Sequence, residues 1–418
     1  MSLAVISVVA LTVAVIISCV TTVNVGVLAL GMAWIVGVYI GGLPINTVIA
    51  GFPTALFLTL TGVTLLFSLA QCNGTLDKVA HHAVRACRGN QGVMPIMFFV
   101  LAAAIASMGP GNISTAALMA PMAMSTAARS GIPLFLMAIM VGNGANAGSL
   151  SPFAPTGIIV NGLMARIGMD GFQTQTYLAN LFAHVVVAFS GYFLFGGWKL
   201  FRAPAPRAAG DTDVALPATA ADRSFDRRQW ATIGVIGALI TGAIFFNINV
   251  GFGAFVGAAV LVLTRCADDT EAIRRMPWRV IVMVTGVTVL IAILEKAQGI
   301  DLLVSLVAKV STASSVTGVV AFIIGIISVY SSTSGVVLPA FLPMVPGLAQ
   351  QLGVVNALGI ANSMNIGGHL VDVSPLSTIG ALCLACAPVE ESRPLFNKLL
   401  AWGLSMSVVG ALLCYAVF

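Results

Sequence analysis

Charged side chains are scarce in this sequence. Only 8% of its 418 residues are Asp, Glu, Lys or Arg, whereas 59% are hydrophobic, and the mean hydropathy is +1.03. Soluble domains have about a quarter charged residues, so this composition excludes a soluble protein and predicts one that crosses the bilayer many times. The Lys and Arg residues form no basic face with interleaved aromatic residues, which argues against nucleic-acid binding.

Signals of several other classes are also missing. The opening residues, MSLAVISVVA, carry no basic segment before the apolar run, which argues against a cleaved signal peptide. The seven cysteines are scattered, and only Cys383 and Cys386 form a Cys-x-x-Cys pair. That pair lies in an apolar stretch without a second pair of ligands, so we interpret it as helix packing rather than as a redox or metal site.

The chain opens with three apolar stretches, each near the roughly 20 residues that a spanning helix needs: 2–20, 24–42 and 53–71. The next segment, Leu76–Arg88, places apolar residues on one helical face and charged residues on the other. This pattern predicts an amphipathic helix lying on the membrane surface. His81 and His82 belong to its polar face, so we interpret them as solvated rather than metal-binding.

An uncharged interval follows between Arg88 and Arg129. It contains two short apolar arms, 93–108 and 113–127, on either side of Gly109-Pro110-Gly111-Asn112. Because the tip has no charge to hold it in water, we predict a re-entrant hairpin with its tip near the membrane midplane. Two short complete spans are the alternative.

The polar segment Asn143–Thr156 interrupts the next apolar helix, which resumes to about Met164. A further span is expected at 176–196, where the lone His184 is interpreted as a packed, hydrogen-bonded residue. Residues 198–229 are rich in Ala, Pro, Asp and Arg and are predicted to be a flexible linker.

The second half repeats the first at an offset of about 224 residues. The anchors of this repeat are short identical or equivalent motifs: Asn24-Val25-Gly26 with Asn249-Val250-Gly251, Thr61-Gly62-Val63-Thr64 with Thr285-Gly286-Val287-Thr288, Asp77 with Asp301, Ser151-Pro152 with Ser374-Pro375, and the first tip with a second at Tyr330–Gly335. Several independent anchors at nearly constant spacing make chance similarity implausible.

Each half then has three spans, a hairpin, a broken span and a final span. Because the number of complete crossings is odd, the halves must be inverted relative to each other. The predicted fold is therefore an all-α polytopic membrane protein of two inverted repeats with five spans each. Its parts are the scaffold spans 1–92 and transport elements 93–197, the linker 198–229, and the scaffold spans 230–312 and transport elements 313–418.

The basic residues orient this topology. Sixteen of the 19 fall on one side, leaving Arg166, Lys296 and Lys309 on the other. The positive-inside rule then places the linker in the cytoplasm and both termini outside. We predict a bacterial inner-membrane protein with periplasmic termini.

The tips and breaks hold the candidate substrate site. Polar, helix-breaking sequence at membrane depth is tolerated where it lines a cavity, and paired broken segments mark the sites of secondary transporters. No Lys or Arg is expected at this depth, so an anion would be held by neutral donors and helix N-termini. The predicted ligands are Asn112, Ser114, Thr115, Asn146, Ser149, Ser151, Ser331, Ser332, Thr333, Ser374, Ser377 and Thr378.

Capping is the alternative role for two of these serines. In each break, Ser-Pro is the pattern of an N-cap followed by proline at the first helical position. On this interpretation Ser151 and Ser374 would begin the second half-helix of each broken span.

The coupling ion has its own candidates. Thirteen of the 14 acidic residues fall in loops, linker or interfacial segments, and only Asp372 lies within a predicted intramembrane segment. A carboxylate there is costly and therefore a functional candidate. We predict that Asp372, His369, Asn143 and Gly109 belong to the site of a coupling cation or proton. The alternative for Asp372 is a second capping group for a half-helix starting at Pro375.

Three segments carry a family resemblance: NVGVLAL, AGFPTALFLTLTGVTLLFSLAQCNGTLD and VDVSPLSTIGALCLACAP. They resemble the malonate/dicarboxylate carrier family (MatC-type) and, more widely, the divalent anion/sodium symporters of the ion transporter superfamily. The resemblance covers nearly the whole chain except the linker. It implies a homodimeric elevator transporter of C3 or C4 dicarboxylates, in which hairpins and broken helices move as one block against the scaffold.

One departure bears on coupling. The sodium symporters carry Ser-Asn-Thr at both tips, whereas here Asn112 is the only match to the family asparagine, next to Ser331-Ser332-Thr333 at the second tip. Coupling to Na+ or to H+ therefore stays open. No other cofactor or metal is predicted.

The predicted function is secondary active transport of a small dicarboxylate, with the substrate, the lipid bilayer and a second copy of the chain as partners. The alternative is a cation/proton antiporter of the same superfamily with Asp372 as the exchange carboxylate. A membrane-embedded enzyme using His369 and Asp372 is a third hypothesis. No HExxH, Gly-x-Ser-x-Gly or paired-Asp motif supports it.

Overall fold

The computed structural model describes residues 2–21, 23–86, 90–202 and 224–418, and in these ranges the protein is helical without any strand. Within the same ranges, the first half has ten α-helices: α1 Leu3–Val20, α2 Val25–Trp34, α3 Ile45–Ala50, α4 Thr54–Cys72, α5 Thr75–Ala86, α6 Val93–Met108, α7 Gly111–Ser130, α8 Leu134–Gly148, α9 Pro155–Arg166 and α10 Gln173–Leu194. A π-helix, Ile35–Ile40, prolongs α2, and a 3₁₀ helix, Gly197–Arg202, follows α10.

The second half runs through a matching order of helices: α11 Arg227–Phe246, α12 Val250–Leu263, α13 Asp269–Arg275, α14 Trp278–Lys296, α15 Gly299–Lys309, α16 Val316–Tyr330, α17 Leu338–Phe341, α18 Val345–Leu352, α19 Ala357–Leu370, α20 Thr378–Ala385 and α21 Val389–Val417. A π-helix, Thr333–Val337, precedes α17, and 3₁₀ turns cover Leu342–Met344 and Val371–Val373. The inverted relation of the halves stays a prediction.

The spans agree with the apolar pattern. Among the described residues, seven helical segments are long and apolar enough to cross a membrane: Thr54–Cys72, Gln173–Leu194, Arg227–Phe246, Trp278–Lys296, Thr333–Leu352, Ala357–Ala385 and Val389–Val417. Further apolar helices of 10–17 residues accompany them. The protein is therefore a multi-pass membrane protein. The amphipathic helix predicted near 76–88 is present as α5, although Cys87 and Arg88 lie outside the described residues.

The repeated glycine motifs hold the two halves together. A Cβ on Gly26 of α2 would lie 2.1 Å from the carbonyl oxygen of Val282, and one on Gly286 of α14 would lie 2.1 Å from the carbonyl oxygen of Gly26. The second pair behaves alike, because a Cβ on Gly62 of α4 would lie 2.4 Å from the carbonyl oxygen of Gly251 on α12. In both pairs, the Asn-Val-Gly motif of one half thus packs backbone to backbone against the Thr-Gly-Val-Thr motif of the other half.

The ends of the predicted linker are structured. Asp226 caps α11, and its carboxylate accepts the backbone N–H of Gln229 at 2.8 Å while the Gln229 amide caps in return. The last three residues of the predicted linker therefore belong to α11. Lys78 on α5 donates to Gln229 at 2.8 Å and to the carbonyl of Ser224 at 3.2 Å, which fixes this end of the linker against the amphipathic helix.

Candidate functional site

The first break begins where α8 ends at Gly148 and lasts until α9 begins at Pro155. The alternative role of Ser151, as the cap of the second half-helix, is wrong. Ala154, not Ser151, precedes the helix, in an extended conformation (φ −87°, ψ 147°). The residue before a proline is disfavoured in the helical region, so Pro155 delays the start of the helix by three residues relative to Pro152. The Ser151 hydroxyl instead donates to the carbonyl oxygen of Ser107 at 2.7 Å.

The second break runs from the end of α19 through the 3₁₀ turn Val371–Val373 to Thr378. The alternative capping roles of Ser374 and Asp372 are wrong here as well, because α20 begins at Thr378 and not at Pro375. Ser377 precedes that helix with extended backbone (φ −95°, ψ 164°). Its hydroxyl donates back to the carbonyl oxygens of Ser374, at 2.8 Å, and of Asp372. These bonds fold the break into a compact loop.

The first tip is a glycine bend between α6 and α7. Gly109 has φ +144°, a conformation that side chains rarely adopt, and a Cβ there would lie 1.8 Å from the ring of Phe67 on α4. Glycine is therefore required at this position for two reasons: the backbone conformation disfavours a side chain, and the Phe67 ring leaves no room for one. Gly109 was expected to serve the coupling ion. That role stays a prediction, and the contact with Phe67 shows that the first tip lies directly against α4.

The second tip lies between α16, which ends at Tyr330, and the π-helix that starts at Thr333. Ser332 caps this helix, since its hydroxyl accepts the backbone N–H of Gly335 at 3.2 Å. A Cβ on Gly335 would lie 1.9 Å from Cε of Met283 on α14. Both tips therefore touch a scaffold side chain through a glycine.

A chain of hydrogen bonds links the tips and the breaks. Asn112 at the first tip donates to Asn146 Oδ1 at 2.8 Å, and Asn146 donates to the carbonyl oxygen of His369 at 3.2 Å. Thr333 at the second tip is 3.2 Å from the carbonyl oxygen of Gly368 and 2.9 Å from Asp372 Oδ1. Residues from four separate stretches of sequence are thereby brought into one polar assembly.

This assembly forms one wall of a cavity of about 480 Å³. The volume lies within the range of about 300–1,000 Å³ that is usual for small-molecule sites. Seven of the predicted site residues line it: Asn112, Ser331, Ser332, Thr333, Asp372, Ser377 and Thr378. The opposite wall comes from the scaffold and consists of the first residues of α2 and α14, namely Val25, Arg279, Val280 and Met283.

Arg279 is the residue that sequence reasoning missed. Its position beside Arg274 and Arg275 placed it in a cytoplasmic loop, and no basic residue was expected at the site. In the structure it is the second residue of α14, is exposed, and lines the cavity. The Thr285-Gly286 repeat motif was the available signal, because it fixes where α14 must start relative to α4.

The other predicted substrate ligands lie outside this cavity. Asn146 and Ser149 are completely buried, with the Ser149 hydroxyl on the carbonyl oxygen of Asn146 at 2.7 Å. Ser374 and Thr115 are also completely buried, and the Thr115 hydroxyl has no hydrogen-bond partner among the described residues. Ser114 is half-buried on the first turn of α7. Asn146 supports the cavity wall through its bond to Asn112, and Ser151 lines a different cavity.

Two of the predicted coupling-ion residues are buried behind the wall. His369 Nδ1 lies 2.8 Å from the carbonyl oxygen of Asn365, while its Nε2 atom has no partner among the described residues. Asn143 Oδ1 lies 2.9 Å from His184 Nδ1, so His184 is packed and hydrogen-bonded as predicted. Of the four predicted coupling residues, Asp372 alone reaches the cavity.

The second cavity, of about 1130 Å³, is formed by the corresponding elements of the first half. The end of α6 contributes Ser107 and Met108, and the first break contributes Ser151, Pro152 and Phe153. Ala55 near the start of α4 and Asn249, the cap of α12, also line it, together with residues of α9, α10 and α11. The first tip therefore lies between the two cavities, since Ser107 just before it lines this one and Asn112 at its end lines the first.

Comparison with known proteins agrees with this architecture. Residues 1–149 match the family described as "Dicarboxylate carrier protein MatC N-terminus", which confirms the resemblance over that part of the chain. No curated protein matches the chain. Among solved structures, the crystal structure of the Alcanivorax borkumensis YdaH transporter, reported to have an unusual topology, aligns with a TM-score of 0.62 at 15% identity. The alignment covers 89% of this chain and 87% of that one. The family match and the shared fold together support a membrane transporter.

Proposed function

We propose that this protein is a secondary active transporter of a small dicarboxylate, malonate or a C4-dicarboxylate, coupled to Na+ or H+. The observation that carries the proposal is the cavity of about 480 Å³, where both tips and the second break meet Arg279 of the scaffold. The family match over residues 1–149 supports the substrate class. A bacterial inner membrane, a homodimer and a cytoplasmic linker 198–229 belong to the same proposal.

The cavity suits a carboxylate because of the helix ends around it. Asn112 and Ile113 belong to the first turn of α7, Thr378 begins α20, and Val25 begins α2. The first turn of a helix exposes unpaired N–H groups and the positive end of the dipole, which attract anions. Hydroxyl groups of Ser331 and Ser332 add neutral donors. A dicarboxylate has two ends, and donors on opposite walls of the cavity match that geometry.

Asp372 can couple the binding of the substrate to the binding of a cation or proton. It is half-buried, lies in the cavity, and its Oδ1 accepts the Thr333 hydroxyl at 2.9 Å. An ionised carboxylate beside a dianionic substrate repels it. A proton or a sodium ion on Asp372 would remove that repulsion, so the substrate binds best when the coupling ion is present. His369 and Asn143 stay proposed as supports of the ion site.

Two cavities separated by the first tip support alternating access. If the tips and breaks moved as one block past the scaffold, the substrate site would close at one cavity and open at the other. The block is held together by the hydrogen bonds from Asn112 through Asn146 to His369. The block contacts the scaffold at Gly109 and Gly335, where no side chain projects from the block to hinder sliding. An elevator movement is the proposed form of this exchange.

The test combines binding with transport. Thermal unfolding of the purified protein is measured against malonate, succinate and a monocarboxylate, each with Na+, with K+ at equal ionic strength, and at two pH values. A ligand that prefers the folded state raises the melting temperature by mass action. Uptake of the stabilising compound into proteoliposomes under a sodium or a proton gradient then identifies the coupling ion. Stabilisation by no dicarboxylate under any condition, together with no uptake, would contradict the proposal.

A cation/proton antiporter is the second candidate, because Asp372 is a cavity carboxylate able to exchange one cation for another. Sodium-driven proton movement in proteoliposomes without any organic anion would select this candidate. Under the leading proposal, proton or sodium movement requires the dicarboxylate. Asp372→Asn abolishes coupling in both cases, so the dependence on the organic anion is the deciding result.

A further inference from the structure

Arg279 occupies a fixed place on the scaffold wall. Its backbone carbonyl oxygen accepts the Asn24 side-chain amide at 3.0 Å, and Asn24 Oδ1 accepts the N–H of Gly26 at 2.9 Å. Just beyond, Gly26 and Gly286 bring α2 and α14 into backbone contact. The start of α14 is therefore held to the start of α2. Arg279 lines the first cavity from this rigid pair.

The two halves differ in charge at this position. At the offset of the Thr-Gly-Val-Thr motifs, the counterpart of Arg279 is Ala55. Both are the second residue of their helix, and each lines the cavity on its own side. The charged residues lining the first cavity are Arg279 and Asp372, whereas the charged residue among those that line the second is Asp170.

The two cavities lie at opposite ends of the scaffold. Ala55 lies at the start of α4, and Cys72 at its other end is about 26 Å away at 1.5 Å per residue. Cys72 lies in the electrostatic field of Arg275 on α13, which directly precedes α14 and Arg279. The cationic side chain of Arg279 therefore lies at one end of the scaffold, and its counterpart at the other end, Ala55, is uncharged.

We propose that Arg279 is a one-sided recognition group that strengthens dicarboxylate binding only when the site opens at the α14 end. A guanidinium offers a planar pair of N–H donors that matches a carboxylate, and such charge-assisted bonds are strong. Because Arg279 belongs to the scaffold, it does not travel with the tips and breaks. This inference rests on the proposed function and adds a sidedness that the pseudo-symmetric site alone would lack.

The consequence is a difference between the half-saturation constants at the two faces. Loss of one charged hydrogen-bonding group weakens affinity by about ten- to a hundredfold. Arg279→Gln should raise KM by about that factor at the α14 face and leave KM at the other face within about twofold. The final accumulation ratio should not change, since it is set by the coupling ion and not by affinity at one face.

The experiment measures uptake of the dicarboxylate into right-side-out and inside-out membrane vesicles from the same cells. Arg279→Gln and Arg279→Lys are compared with Arg274→Gln, which removes an exposed arginine of α13 that does not line the cavity. The KM of Arg279→Lys at the α14 face should lie between those of wild type and Arg279→Gln, because lysine keeps the charge but lacks the planar pair of N–H donors. Ala55→Arg should lower KM at the opposite face, since Ala55 is exposed and lines the second cavity.

The outcomes separate the two proposals. Absence of dicarboxylate uptake in the unaltered protein refutes the transport function itself. Normal uptake with KM unchanged in Arg279→Gln, or raised equally at both faces, refutes one-sided recognition while leaving transport intact. A rise confined to one face in Arg279→Gln, absent in Arg274→Gln, supports it. Thermal stability of each purified variant without ligand shows whether the fold is preserved, and Ala55→Arg keeps Arg279 in place as an independent test.

Discussion

The hydroxyl of Thr333 donates to Asp372 Oδ1 at 2.9 Å, across 39 residues of sequence. This bond ties the second tip to the second break and holds the cavity carboxylate in position. A hydrogen bond to a charged group contributes about 1.5–3 kcal/mol. Replacing Thr333 therefore tests whether the orientation of Asp372 matters for transport.

Thr333→Val should reduce the initial rate of uptake by about tenfold or more, because it removes a bond of about 1.5–3 kcal/mol without a change in volume. Thr333→Ser keeps the hydroxyl and should retain most activity. Thr12→Val is the matched control, since the exposed Thr12 hydroxyl bonds to the carbonyl oxygen of Val8 in its own helix. Equal uptake by Thr333→Val and wild type would show that the bond has no part in transport.

Asn112 and Asn146 should behave as one unit. Asn112→Ala and Asn146→Ala each break the 2.8 Å bond between the first tip and α8. The double variant should therefore be less impaired than the sum of the single effects, with a coupling energy of about 0.5–3 kcal/mol from a double-mutant cycle of uptake rates. The control cycle pairs Asn112→Ala with Asn356→Ala at the cap of α19, where the effects should add. Additivity in the first cycle would contradict the proposed link.

Gly109→Ala should abolish or strongly reduce transport. The new methyl group would lie 1.8 Å from the ring of Phe67, and the backbone at φ +144° disfavours any side chain. Gly131→Ala separates the two causes, because Gly131 also has positive φ (+66°) but no atom lies within 4 Å of the position that its Cβ would take. Uptake and melting temperature are measured for both. Near-normal uptake by Gly109→Ala would mean that the tip does not depend on close contact with the scaffold.

Gly286→Ala should destabilise the fold itself. Its Cβ would lie 2.1 Å from the backbone carbonyl oxygen of Gly26, which has no flexible side chain to move aside. Overpacking of this kind costs about 1–3 kcal/mol or more. Gly31→Ala on α2 is the control, because nothing lies within 4 Å of its Cβ position. A melting temperature of Gly286→Ala equal to that of the control would contradict the backbone contact.

The helices and their interruptions were largely predictable from the sequence. Long uncharged runs fix the spans, and the polar tips and breaks stand out against them because polar sequence at membrane depth is costly. Gly109–Asn112 and Tyr330–Gly335 fall where the helices end. The start of the half-helix after the first break does not follow from the Ser151-Pro152 pattern, because Pro155 disfavours a helical conformation at Ala154.

The partners of the site residues were not predictable from the sequence. Which of the polar residues face the cavity depends on how each helix is rotated about its axis. Successive residues of a helix differ by about 100°, so a small error in the rotation of α8 decides whether Asn146 lines the wall or lies behind it. Arg279 shows the same limit. Counting charges assigned it to the cytoplasmic surface, yet the start of α14 places that surface residue at the cavity.

The glycine contacts between the two halves also determine when the scaffold can assemble during synthesis. Gly26 and Gly62 are made early, whereas their partners Gly286 and Gly251 follow about 260 and about 190 residues later. Until then α2 and α4 have no backbone neighbour for these surfaces, so the scaffold assembles only after the second half has been inserted. We therefore expect that neither half folds by itself. Two fragments separated within the linker should each be degraded when made alone and should accumulate when made together.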